Sequence, residues 1–223
     1  MAHAAPLYPV SLVVAGRRCL VVGGGHVAAR KIEGLVSCGA LVTAVAPDVV
    51  DEVVRLVDAP RAVGGPGGVP AGTLQLERRP YRAGEASDYR LVVTATGVPE
   101  VDGAVAADAE AAGVWVNSAD DPANCTFLLP AVHRDGPVTV AVSTGGSSPA
   151  LAGWLRTRVA GALGPGVADL AALLDEARAR LRTEGRSTEA IDWLPVLDGR
   201  LVPLVRAGRI DEARTVLWEA VGL

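Results

Sequence analysis

The sequence predicts an α/β fold built on a mostly parallel sheet, followed by a small strand-rich segment and a helical tail. Three observations carry this. Short apolar runs without polar alternation recur between helical stretches through the first half of the chain, as strands buried on both faces do. Between residues 127 and 143 the pattern changes to strand, turn, strand. From Pro149 onward only helical spacing remains.

The elements follow in order. Residues 19–22 form an apolar strand that runs into Gly23-Gly24-Gly25. Residues 27–38 read as a helix, with Val27, Ala28, Ile32, Leu35 and Val36 on one face and Gly39 placed for a left-handed end. Residues 41–46 are a second strand. Pro47-Asp48 comes next, with Asp48 placed to N-cap a helix ending near residue 58. Residues 60–72, with Gly64-Gly65-Pro66-Gly67-Gly68, read as a flexible surface loop. Strands at 74–77 and 91–96, a helix at 99–112 and a strand at 114–117 complete an order of β-α-β-α-β-β-α-β. Residues 127–132 and 138–143 flank a turn at 133–137. In the tail, Leu151, Leu155 and Val159 make one stripe and Leu170, Leu173, Leu174 and Leu181 another, with Gly164-Pro165-Gly166 between them. Short helices near 197–205 and 210–221 end the chain. The expected domains are 1–117, 118–150 and 151–223.

Composition narrows the function classes. A chain of 223 residues buries a real core. A formal net charge of -4 gives no broad attraction to nucleic acid. Cys19, Cys38 and Cys125 are scattered, which argues against a disulfide framework or a cysteine-built zinc site and fits a reducing compartment. His3, His26 and His133 show no ligand spacing, so no stably bound metal is expected. Residues 1–9 lack the basic and apolar regions of a signal peptide. No apolar run reaches the roughly 18–20 residues that span a bilayer. A soluble cytoplasmic protein is the expectation.

Gly23-Gly24-Gly25-His26-Val27-Ala28 fits G-x-G-x-x-A directly between a strand and a helix. Gly23 permits the tight turn, Gly25 lets the backbone approach a pyrophosphate, and Ala28 allows the helix to pack closely on the strand. The helix start then offers free N–H groups and a positive dipole end to phosphates. The sequence therefore predicts a Rossmann-type NAD-binding domain. An acid that holds the ribose lies about 20 residues past the glycines in such folds. Asp48, reached through Pro47, is the candidate, with the helix cap as its competing role. No arginine adjoins Asp48 to favour a 2′-phosphate, which prefers NAD over NADP. Thr94-Ala95-Thr96 and Asn117 end strands at the carboxyl edge, where ligands bind, although Thr and Ser there also serve simply to end a strand.

Taken together, several segments resemble the precorrin-2 dehydrogenase domain, which also forms the N-terminal part of the sirohaem synthases. They are the glycine turn with Arg30-Lys31, Val45-Ala46-Pro47-Asp48, Thr94-Ala95-Thr96, Asn117-x-x-Asp120-x-Pro122, Phe127-x-x-Pro130-Ala131 and Ser143-Thr144-Gly145-Gly146-x-Ser148-Pro149. The resemblance implies NAD-dependent oxidation of precorrin-2 to sirohydrochlorin, with ferrous iron insertion in some members. It implies a homodimer whose central segment and helical tail build the contact. The family's essential aspartate falls on Asp120, whose residue-level alternative, shared with Asp121, is turn formation before Pro122. The family's phosphorylatable serine falls on Thr144, and the methyltransferase domain of the fused enzymes is expected to be absent. Arg30, Lys31, Arg134 and Arg156 are candidate partners for substrate carboxylates, as are the N–H groups of the 143–148 loop. A non-catalytic NAD-sensing regulatory protein is the alternative use of the same glycine turn.

Overall fold

The computed structural model describes residues 6–58, 72–119 and 121–223. Five strands form one parallel sheet: β1 (Arg18–Val22), β2 (Leu41–Val45), β3 (Thr73–Glu77), β4 (Leu91–Thr94) and β5 (Trp115–Ser118). Their order is β3-β2-β1-β4-β5. Parallel neighbours need crossovers. Helices α1 (His26–Ser37), α2 (Asp51–Asp58) and α3 (Pro99–Ala111) lie in three of them, and a 3₁₀ turn at Glu85–Asp88 lies in the fourth. The chain reverses its direction of winding between β3 and β4, so β1 and β4 flank the switch point where such sheets bind ligands. The predicted glycine-rich loop lies almost wholly outside the described residues.

Strand alternation explains the unbroken apolar runs. Cys19 and Val21 face the α1 and α2 side with Ile32, Val42 and Val53. Leu20 and Val22 face the α3 side with Val92, Val105 and Val116. Both faces of β1 are covered, so no position from Cys19 onward suits a polar side chain. Helix α1 buries Ala28, Ala29 and Ile32 and stops where Gly39 turns left-handed (φ 79°), donating its N–H to Val36 O at 2.9 Å.

Chain contacts divide the molecule into residues up to Leu129 with Thr144–Ser148, and Pro130–Ser143 with Pro149–Leu223. In the second unit, β6 (Ala131–Asp135) and β7 (Val138–Val142) form an antiparallel ribbon. Helix α4 (Pro149–Leu163) packs against it. The ribbon thus groups with the helices. Helices α5 (Val167–Thr183), α6 (Trp193–Val196), α7 (Val202–Arg206) and α8 (Ile210–Val221) follow, with a π-helical turn at Leu197–Leu201. They enclose a core of Leu173, Ala177, Leu181, Leu201, Leu204 and Leu217. Among the described residues no helix is long and apolar enough to cross a membrane.

Three sequence expectations are corrected. Helix α2 begins at Asp51 with Val50 O accepting the N–H of Val53, so Asp48 stands too early to cap it. Strand β4 ends at Thr94 rather than at 96, because the following residues turn towards α3. The strand expected at 127–132 begins at Ala131, because Phe127 packs on the first unit's core and its carbonyl accepts from Asn117. The expected α4 stripe is present but largely open: Leu151 is 47 % exposed and Val159 37 %, and the neighbouring Trp154 is 57 % exposed.

Leu217 has no exposed surface. We expect Leu217→Ala to cost about 3 kcal/mol in urea unfolding through the cavity it leaves; a cost near zero would mean that α8 is not packed as described.

Candidate functional site

The three glycines after β1 have different reasons to be glycine. Gly23 has φ 125°, and a Cβ there would lie 2.3 Å from Ala95 O, at the end of β4. A Cβ on Gly24 would lie 2.1 Å from Asp48 O, in the loop after β2. Hydrogen bonds tie the turn to both sides: Gly23 N donates to Val45 O at 2.9 Å and Val50 N to Gly24 O at 2.9 Å on the β2 side, and Ala95 N donates to Val22 O at 2.8 Å on the β4 side. The turn is therefore wedged between the ends of β2 and β4. Gly25 differs. Its φ is -83°, and a Cβ there would meet nothing of the protein within 4 Å. It stands at the N-cap of α1 with no side-chain cap, and the first helical bond runs from Ala29 N to Gly25 O. The N–H groups of His26, Val27 and Ala28 precede that bond, as at any helix start. This is a cradle for an anion with open space in front of it. Ala28 is fully buried beneath it in the core that includes Val21, which allows the close approach of helix to strand.

Around this turn lie the other predicted residues. Pro47 and Asp48 are exposed at the carboxyl end of β2, and Asp48 is released from helix capping. At the end of β3, Arg79 is held by Glu77 at 2.7 Å and Glu85 at 2.6 Å. Thr94 is fully buried, and its hydroxyl donates to Asp102 Oδ1. Thr96 donates to the same oxygen from its N–H at 3.2 Å and its hydroxyl at 2.8 Å. Both threonine side chains thus turn towards α3, and Ala95 between them faces Gly23. Asn117 is buried, and its side-chain amide donates to Phe127 O at 3.0 Å. Cys125 lies 3.2 Å from both Ser118 N and Ser118 O, so the 121–127 return is laced to β5. Ala119 N donates to Thr94 O at 2.9 Å. Asp120 lies outside the described residues. Asp121 is a turn former, accepting Ala123 N at 3.0 Å and Asn124 Nδ2 at 2.9 Å.

His26 points outward, with Nδ1 3.1 Å from Glu52 Oε1. Glu52 sits below the usual carboxylate range, first through its own backbone amide and then, against some desolvation, through His26 and Arg55. These residues, with Arg30, Glu33 and Leu56, line an open depression of about 420 Å³ between α1 and α2. No residue of the glycine turn, β4 or β5 lines it. Thr144 uses its hydroxyl inside its own loop, accepting Ser148 N at 3.1 Å, and Pro149 begins α4 as expected. Among the described residues no three His, Cys, Asp or Glu side chains gather as a metal site.

Sequence reasoning missed two parts of this arrangement. Gly24 reads from sequence only as part of the cofactor-binding turn, and it proves as tightly confined as Gly23. Asp102 went unnoticed; an acid in the first turn of a helix that starts with proline, just after Thr-x-Thr, was the readable signal.

Two outcomes check this geometry. Gly23→Ala combines a positive φ with a clash on a carbonyl and should cost about 2 kcal/mol or more, whereas Gly25→Ala should melt within a few degrees of wild type. Equal melting of both variants would contradict the wedge. Burial pushes Cys19 up from 9.0 to about 11, so stability should fall as pH rises through that interval, and Cys19→Ala should flatten the fall.

Comparison with known proteins agrees with the geometry. The family described as "Putative NAD(P)-binding" matches residues 10–131, and "Sirohaem biosynthesis protein central" matches 135–162. A siroheme synthase of Methylococcus capsulatus is 36% identical over 215 residues, covering 95% of this chain and 43% of that protein. One from Nitrosomonas europaea is 33% identical, covering 96% and 43%. The chain spans less than half the length of these curated relatives. Among solved structures, "SirC, precorrin-2 dehydrogenase" shares the fold with a TM-score of 0.71 at 24% identity, covering 97% of this chain and 100% of that one. The chain belongs to the NAD(P)-binding family of sirohaem-biosynthesis proteins that its motifs resemble.

Proposed function

We propose that this chain binds NAD at the glycine turn and oxidises precorrin-2 to sirohydrochlorin. The observation that carries the reading is Gly25. Of the three glycines it alone is not required by a protein neighbour, and it opens an uncapped helix start at the carboxyl edge of the sheet. The fold shared with SirC, whose name gives precorrin-2 dehydrogenase, and the identity to siroheme synthases support precorrin-2 as the substrate.

Bound NAD supplies a hydride acceptor. The chain's own groups do the rest. The N–H groups at the start of α1 hold the pyrophosphate, and Asp48 accepts from the adenosine ribose. NAD is favoured over NADP because Asp48 repels a 2′-phosphate and the Arg79 guanidinium is already engaged by Glu77 and Glu85. Thr94, Ala95, Thr96 and Asn117 form the β4 and β5 side of the cleft, the threonines and asparagine chiefly by bracing its backbone. Asp120, next in the chain after Ala119, takes the proton that leaves the carbon adjacent to the hydride donor. The same carboxylate is the base on pyrrole nitrogens if ferrous iron is inserted. Arg30, Lys31, Arg134 and Arg156 are the proposed partners of the macrocycle's carboxylates. The open apolar face of α4 supports a homodimer, and we propose a cytoplasmic location.

Mixing pure protein, NAD and precorrin-2 should generate NADH and the absorbance of sirohydrochlorin; added ferrous iron then reports chelation. Asp120→Ala should lower kcat by about a hundredfold or more while NAD still binds. Unchanged turnover removes Asp120 from the mechanism. NAD uptake by the wild-type protein without turnover favours an NAD-sensing protein instead.

A further inference from the structure

Resting on the NAD reading above, we infer that Asp102 is the positioning residue that sets the nicotinamide side of the cleft. Its carboxylate oxygen Oδ1 gathers the Thr94 hydroxyl, the Thr96 N–H at 3.2 Å and the Thr96 hydroxyl at 2.8 Å. Thr96 Oγ1 also accepts Val98 N at 3.0 Å, which carries the grip to the residue before α3. Asp102 therefore clamps the residues on both sides of Ala95. Ala95 is the wall against which Gly23 is set, since a Cβ on Gly23 would lie 2.3 Å from Ala95 O. A carboxylate in the first turn of α3 thus fixes one wall of the turn that precedes α1.

The topology says which half of a dinucleotide this wall serves. β2 lies on one side of β1 and β4 on the other. The two mononucleotide halves of such a sheet bind on opposite sides of the switch point. The adenosine half belongs to the β2 side with Asp48, so the 95–98 loop borders the nicotinamide half. The pyrophosphate cradle has independent anchors, through Gly23 N to Val45 O and through Val50 N to Gly24 O. Ala95 N is itself tied to Val22 O at 2.8 Å, so loosening the Asp102 clamp releases the nicotinamide side of the wall at Thr96 and Val98 and leaves the adenylate side in place. Charged acceptors hold such donors about twice as strongly as neutral ones, and an asparagine keeps the oxygen while losing the charge.

Calorimetric titration of the full chain with NAD and, separately, with ADP tests this. Asp102→Ala should weaken NAD about tenfold and leave ADP within about twofold, with Asp102→Asn recovering about half of the free-energy loss, to about threefold. Thr96→Val, which keeps the Thr96 N–H bond, should weaken NAD by about threefold with ADP again unchanged, and it decides the matter should Asp102→Ala fail to fold. Wild-type NAD affinity in Asp102→Ala and Thr96→Val, equal loss of NAD and ADP, or no recovery with asparagine overturns the assignment. A wild-type chain that takes up ADP but not NAD, or neither, overturns the NAD reading itself and this inference with it.

Discussion

The architecture of this chain turns on a close approach of backbone to backbone. The turn after β1 passes between the loop that follows β2 and the end of β4, near enough that neither Gly23 nor Gly24 has room for a methyl group. Everything nearby is arranged to keep that gap at its size. The β1 ladder pairs with β2 on one side and β4 on the other, which fixes the two walls. Ala28 is small enough for α1 to lie directly on the sheet. Asp102 and its threonines hold one wall, and the hydrogen bond from Val50 N to Gly24 O holds the other. A turn confined on two sides by protein presents its third side, at Gly25, to whatever binds. The rigid part of the site is therefore bought with packing rather than with side-chain chemistry.

Much of this was legible beforehand, for a physical reason. A sheet covered on both faces leaves unbroken apolar runs such as 19–22 and 91–93, and crossover helices leave the 3.6-residue spacing of Ala28, Ile32 and Leu35. Glycines announce positions where a side chain cannot fit, so Gly23 and Gly39 could be placed at once. What sequence could not carry was side-chain partnership. Asp102 reads as an ordinary first-turn acid until Thr94 and Thr96 are seen to turn towards it. Asn117 and Cys125 are eight residues apart and meet only because the 121–127 return folds back on β5. The α4 stripe has the right period for burial, and period alone does not say whether the covering surface lies in the same chain.

The second unit is organised differently. Its core is a compact set of leucines from α5, the π-helical turn, α7 and α8, with Trp218 covered by the guanidinium of Arg180 at 4.4 Å from the ring centre. Its ribbon and α4 contribute little to that core, and Ala152 is the buried residue of α4. A ribbon of two strands is marginal by itself, and α4 lends it one face. The apolar side chains left over on α4 are the surface that the proposed homodimer would cover.

The central claim is that the start of α1 receives the pyrophosphate of a dinucleotide. Backbone amide NMR of the full chain, titrated with NAD, tests it most directly. The largest shifts should fall at the amides of Gly25, His26 and Val27, with a second group at residues 95–98. Shifts confined to the depression at Arg30, Glu33 and Arg55, or no shifts at saturating nucleotide, would contradict it.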